Sequence, residues 1–143
     1  MISGGTIIMK KVNDILEEAI YGKPEIRPQE RKLFLSTIME RVYLALTIKQ
    51  VLSSNTYQQI SSIMQSKKDL HLYINGHLSY QFYSKYTKLA STHSVPFTIV
   101  TPTEGIPTGL VLASANSPAS PSPASIFVED SLHEKDMKEF NKD

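Results

Sequence analysis

Val42-Tyr43-Leu44-Ala45-Leu46-Thr47 reads either as the tail of a helix running to Leu52 or as a buried strand, and the architecture turns on the choice. Near-continuous apolarity with two alternating bulky sets suits a central strand covered on both faces. The strand is the better reading. After it, Ser53-Ser54-Asn55 supplies helix-capping side chains, and Tyr57, Ile60, Ile63 and Met64 form an amphipathic stripe. Lys67-Lys68-Asp69 breaks that pattern, and Leu70 to Ile74 gives a second short strand closed by Asn75-Gly76. A helix follows from Ser79 to Ser94, with Phe82, Tyr83, Tyr86, Leu89 and Ala90 inward. Val95-Pro96 then leads into a third strand, Phe97 to Val100. Strands and helices that alternate with short joints imply parallel strands joined by right-handed crossovers.

Upstream, Val12, Ile15, Leu16 and Ala19 fall at helical spacing between Lys10 and Ile20, and Tyr21-Gly22-Lys23-Pro24 stops that helix. Pro28 suits a first helical position, so Gln29 to Glu40 is expected as a second helix. Residues 1–8 read as a disordered or non-native extension ahead of Met9, with 9–143 as one domain. N-terminal sequencing of native protein tests this hypothesis: Met9 or Lys10 is expected, and Ile2 or Ser3 would sink it. Downstream of Thr101, Pro102, Gly105, Pro107 and Gly109 punctuate a loop before a short strand, Leu110 to Ala113. Residues 114–125, SANSPASPSPAS, are low-complexity and expected as a mobile surface loop. Ile126-Phe127-Val128 is placed to return to the sheet edge, and Leu132 to Phe140 to end the chain as a charged helix.

With 143 residues and 41% hydrophobic content, the chain can bury one proper core. Fifteen basic against 14 acidic residues give no global field that would gather nucleic acid or an anionic membrane. Cysteine is absent, which excludes disulfides, thiolate catalysis and thiolate metal sites. No apolar run approaches the roughly 18 residues of a membrane span, and no secretory signal is visible, so the cytoplasm is the expected location.

In open α/β sheets, ligands bind outside the carboxyl ends of parallel strands. Three segments meet that description: Lys49 to Asn55, Asn75-Gly76-His77, and Thr101 to Glu104. The candidate site is therefore Lys49, Ser54, Asn55, Asn75, His77 and Thr101, an edge suited to a small anion or phosphate group. The competing reading is local, with Ser54 and Asn55 capping a helix and Asn75-Gly76 making a turn. The four histidines are scattered, so no metal site is expected, and no cofactor is implied. Neither a Gly-x-Ser-x-Gly elbow nor a Gly-rich phosphate loop occurs, so no catalytic residue is assigned. Arg27, Arg31, Lys32, Arg41, Lys67, Lys68, Lys85 and Lys88, with Tyr80, Tyr83 and Tyr86, are a candidate nucleic-acid patch. Against this, helix lysines commonly form a solvated face, and tyrosines at helical spacing are commonly core.

Tyr21-Gly22-Lys23-Pro24-Glu25-Ile26-Arg27-Pro28, Glu40-Arg41-Val42-Tyr43-Leu44-Ala45-Leu46-Thr47 and Leu72-Tyr73-Ile74-Asn75-Gly76 resemble the YueI-like family of Gram-positive bacteria. So do Lys85-Tyr86, Pro96-Phe97-Thr98-Ile99-Val100 and Gly109-Leu110-Val111-Leu112-Ala113, and the likeness runs in register over residues 10–113. The resemblance implies an α/β (α+β) fold: a three-layer α/β/α sandwich with a mixed, mainly parallel four-stranded sheet. That places it in the broad group of kink-turn RNA-binding ribosomal proteins. It brings no activity, because the family is uncharacterised. The RNA-binding relatives carry Asn-Glu-x-x-Lys after the first strand, whereas Asn55 here is followed by Thr56, Tyr57, Gln58 and Gln59. The expectation is a non-enzymatic binding or regulatory protein. RNA binding is the alternative, and an enzyme ranks third. A small anion, RNA or a second copy of the chain are the partners considered, and a membrane is not among them.

Overall fold

A computed structural model describes residue 12, residues 15–16, 28–119 and 126–141. The expected extension 1–8, the stop at Tyr21–Pro24 and the far half of the Ser/Pro loop lie outside the described residues. Val12, Ile15 and Leu16 are helical, as their spacing predicts, and Val12 and Ile15 are buried. The remaining elements are α1 (Pro28–Leu33), a 3₁₀ turn (Met39–Arg41), β1 (Val42–Thr47), α2 (Ile48–Leu52), α3 (Gln58–Ser66), β2 (Leu70–Asn75), α4 (Tyr80–Thr92), β3 (Phe97–Val100), β4 (Thr108–Ser114) and α5 (Ser131–Phe140). No helix among the described residues is long and apolar enough to cross a membrane.

The four strands form one open, mixed sheet in the order β1-β4-β2-β3. Only β2 and β3 pair in parallel; β4 runs antiparallel to both β1 and β2 and sits between them. The expected strand Val42 to Thr47 is present, but it is not central. It is the last strand of the ladder, and its free edge is occupied by the returning chain. Ala45 N–H donates to Ile126 O at 2.8 Å, and Phe127 bridges Ala45 in parallel. The near-continuous apolarity read in β1 reflects cover on both faces, with Val42 and Ala45 in one core cluster and Leu44 and Leu46 in the other. The central position belongs to β4, where all seven residues are buried.

The period-two alternation of β4 divides the core. Leu110 and Leu112 join Leu46, Val51, Ile60, Leu72, Ile74, Tyr86 and Ala90 in one cluster. Val111 and Ala113 join Val12, Ile15, Phe34, Ile106, Ile126 and Phe127 in the other. Gly109 is required by close approach: a Cβ there would lie 2.9 Å from Val51 Cγ2 and 3.1 Å from the backbone at Ile48 and Thr47. Only glycine lets α2 rest directly on β4.

The helix expected over Gln29 to Glu40 ends at Leu33. Leu33, Phe34 and Leu35 are each no more than 1% exposed, and three consecutive side chains cannot share one helical face. The chain instead turns, with Leu35 at φ 53° and Ser36 at φ 86°, and thereby sends all three inward. The buried Glu30 carboxylate accepts the Met39 N–H at 2.7 Å, and Phe34 stacks on Phe127 at 6.1 Å between ring centroids. Ala115 N–H donates to Asp69 O and Ala119 N–H to Glu40 O, each at 2.7 Å.

Candidate functional site

Parallel pairing of β2 with β3 brings three of the six expected residues together. Gly76 N–H donates to Val100 O at 2.8 Å, and a His77 ring nitrogen lies 2.8 Å from Pro102 O. A Cβ on Gly76 would fall 2.2 Å from Thr101 Oγ1, so glycine is needed for the two strand ends to meet. Asn75 is buried, and both ends of its amide are engaged. Its Nδ2 donates to Thr108 O at 3.0 Å, and its Oδ1 accepts His77 N–H at 2.9 Å. Those bonds close the turn and tie β2 to β4. His77 and Thr101 remain exposed.

Lys49, Ser54 and Asn55 belong to a different place, because β4 separates the end of β1 from the end of β2. Lys49 lies in α2, where its backbone N–H donates to the buried Asp136 carboxylate at 2.8 Å. Ser54 and Asn55 are exposed in the α2–α3 loop, and neither caps α3, whose first turn follows Tyr57. The Lys85 ammonium binds Ser53 O and Asn55 O instead. Burial pushes the Lys85 amine down, since it disfavours the charged form. Lys85 is thus engaged within the fold and Tyr86 is fully buried, which takes both out of the candidate nucleic-acid patch.

From Thr101 a concavity of about 260 Å³ opens between the α1 turn and the β3–β4 loop. Leu35, Val100, Pro102 and Ile106 make its apolar wall, with Arg31 and Lys32 at the end of α1 and the hydroxyls of Ser36, Thr101 and Thr103 around it. The turn that shapes it is fixed twice: Ser36 N–H donates to Arg31 O at 2.6 Å, and the Arg31 guanidinium donates to Ser36 O at 3.2 Å. Lys32 forms an ion pair with Glu104 across the opening. An exposed pair of this kind contributes about 0–1 kcal/mol, so an incoming anion can displace Glu104 at little cost. An apolar wall with a few convergent polar groups is the ordinary chemistry of a small-molecule site. Here it suits a ligand with an apolar body and an anionic head. Arg31 and Lys32 were legible as cations in the sequence; their convergence on Thr101 was not, because it depends on the left-handed turn at Leu35 and Ser36.

A second polar cluster joins the tail to the sheet. Gln50 is fully buried; its Oε1 accepts Thr47 N–H at 2.8 Å, and its Nε2 donates to Val128 O at 2.8 Å and to Asp130 Oδ1 at 3.0 Å. The Tyr57 hydroxyl donates to the same carboxylate, which also caps α5 by accepting His133 N–H at 3.0 Å. Burial alone would push the Asp130 carboxyl up. The bonds from Tyr57, His133, Gln50 and Leu132 outweigh it and hold the group below its ordinary value. Tyr57 moves the opposite way, through burial first and then through the adjoining Asp130 charge. Nothing in the sequence linked Asp130 to Tyr57, 73 residues away.

Among the described residues, no three or more His, Cys, Asp or Glu side chains converge as metal ligands. His71 sits 2.7 Å from Thr98 Oγ1, and burial pushes its pKa down toward the neutral form.

Residues 9–121 match the family described as "Protein of unknown function (DUF1694)". The chain is 42% identical over 105 residues to "Uncharacterized protein YueI" of Bacillus subtilis (strain 168), a span of 73% of this chain and 80% of that protein. The crystal structure of the YueI protein from Bacillus subtilis superposes with a TM-score of 0.75 at 36% identity, covering 87% of this chain and 96% of the other. Sequence and fold thus agree over most of both molecules, and the chain belongs to the DUF1694 family of proteins of unknown function.

Proposed function

We propose that this protein is a non-enzymatic, cytoplasmic binding or regulatory protein that takes a small amphipathic anion in the cavity between the α1 turn and the β3–β4 loop. One observation carries the reading: Arg31, Lys32, Ser36, Thr101 and Thr103 surround an apolar wall at the carboxyl end of β3. The backbone supports it, because two non-glycine residues hold left-handed φ values at its rim. Such positions cost on the order of 1–3 kcal/mol each and persist only where the surrounding structure enforces them. Of the edge expected from the sequence, Thr101 lines this cavity, while Lys49 lies in α2 and Ser54 and Asn55 in the α2–α3 loop.

The layering we infer is a three-layer α/β/α sandwich of the broad group that includes kink-turn RNA-binding ribosomal proteins. Core clusters drawn from the two faces of β4 support the layers. RNA binding rests on that kinship alone.

The test is thermal unfolding with inorganic phosphate, benzoate and phenyl phosphate as probes. Phenyl phosphate is expected to raise Tm saturably and more than phosphate, since ligand bound only to the native state stabilises it by mass action. Arg31→Ala should abolish the rise. A Tm unmoved by all three probes, or an equal rise in the variant, would refute the reading.

A further inference from the structure

The two borders of the sheet are treated differently. Along β1 the returning segment 126–128 takes up both backbone hydrogen bonds of Ala45, through Ile126 O and Val128 N–H. Along β3 no described segment does so, and the strand is Phe97-Thr98-Ile99-Val100, uncharged throughout, with Phe97 44% and Ile99 40% exposed. Natural sheets blunt such an edge with lysine, internal proline or a bulge, because unpaired N–H and C=O groups recruit another strand. None of these devices is present in the four residues.

We propose that β3 is a self-association edge, pairing antiparallel with β3 of a second copy of this chain about a two-fold axis at Thr98. The backbone fixes the register. Pro96 O and Val100 O accept hydrogen bonds from β2, through Leu72 N–H at 3.0 Å and Gly76 N–H at 2.8 Å. Residues of even number therefore turn their polar groups inward, and Phe97 and Ile99 turn theirs outward. Antiparallel pairing requires outward residues to face each other. Opposing Phe97 to Ile99 of the partner satisfies this twice and gives four inter-chain hydrogen bonds. It also sets an aromatic side chain against a β-branched one at both ends, and threonine against threonine in the middle, all of them favourable cross-strand pairs.

Charge selects the occupant. The strand opposes no like charges to a copy of itself, and a two-fold arrangement is the commonest closed assembly. A ladder this short buries less than the roughly 1,200 Å² of a stable complex, so the dimer is weak and concentration-dependent.

The test is sedimentation equilibrium between about 1 μM and 1 mM, the range in which weak association registers. The wild type is expected to rise from its 16.0 kDa monomer toward twice that mass. Thr98→Lys and Thr98→Glu each place like charges face to face and should hold the monomer mass, while an equimolar mixture of the two should restore dimer. Ile99→Pro removes one outward N–H at a position where an edge strand tolerates proline, and should also give monomer with an unchanged far-UV spectrum. A wild type that stays monomeric at the top concentration overturns the proposal, as does a dimer that survives Thr98→Lys and Ile99→Pro.

Discussion

Leu110→Ala is expected to lower the stability of the fold by about 2–5 kcal/mol, the range for removing a fully buried leucine without collapse of the space it leaves. Leu110 has no exposed surface; it lies in β4, between Leu46 on β1 and Ile74 on β2, and faces the cluster built on Tyr86. Strands on either side hold their own ladders, so the walls cannot close on the cavity. Urea unfolding checks this: the midpoint should fall while the slope stays the same. A loss below about 1 kcal/mol would mean that the centre of the sheet is not packed as described.

Asp130→Ala should cost about 2–4 kcal/mol, combining the loss of a helix cap with two donors left without an acceptor. Those donors are the Tyr57 hydroxyl and the Gln50 amide, the latter fully buried. The same carboxylate gives a sign to the pH dependence. Its folded pKa lies below the ordinary 3.8, so its contribution is present above that value and is lost as pH falls through the folded pKa. Thermal melts of the wild type should therefore lose stability from about pH 5 downward, and Asp130→Asn should show a shallower loss over the same range. Identical slopes in the two proteins would remove Asp130 as the titrating group. Hydrogen exchange in α5 is the local readout, because the carboxylate links that helix to Gln50 and Tyr57.

The three strands and the two longer helices between Val42 and Val100 were legible in the sequence, because apolar period separates a nine-residue amphipathic stripe such as Gln58–Ser66 from a six-residue strand such as Leu70–Asn75; the short helix Ile48–Leu52 was not foreseen. The turn Asn75-Gly76 and the return of Ile126 to Val128 were legible for the same local reasons, turn chemistry in one case and an isolated apolar run in the other. Short-range pattern could not show the order of the strands. Both Val42–Thr47 and Thr108–Ser114 are nearly continuous in apolar residues, and both are buried. One is an edge strand and the other an interior strand, yet both send alternate side chains into the same two core clusters, so the two positions leave the same mark on composition.

The same limit governs the sites. Asn75, His77 and Thr101 meet because β2 and β3 pair directly in parallel. Lys49, Ser54 and Asn55 are strand-end residues too, but the inserted antiparallel β4 holds them apart. Arg31 and Thr101 line the same cavity beside a turn at Leu35 and Ser36 whose left-handed backbone those residue types do not announce. What the sequence determined by itself was the strands, the longer helices and the family to which the chain belongs, since these follow from local period, turn residues and motif. What only the tertiary structure decided was neighbourhood: which strand lies beside which, and which side chains share a cavity. Those choices are made by the joint burial of residues far apart in the chain, and no local window contains them.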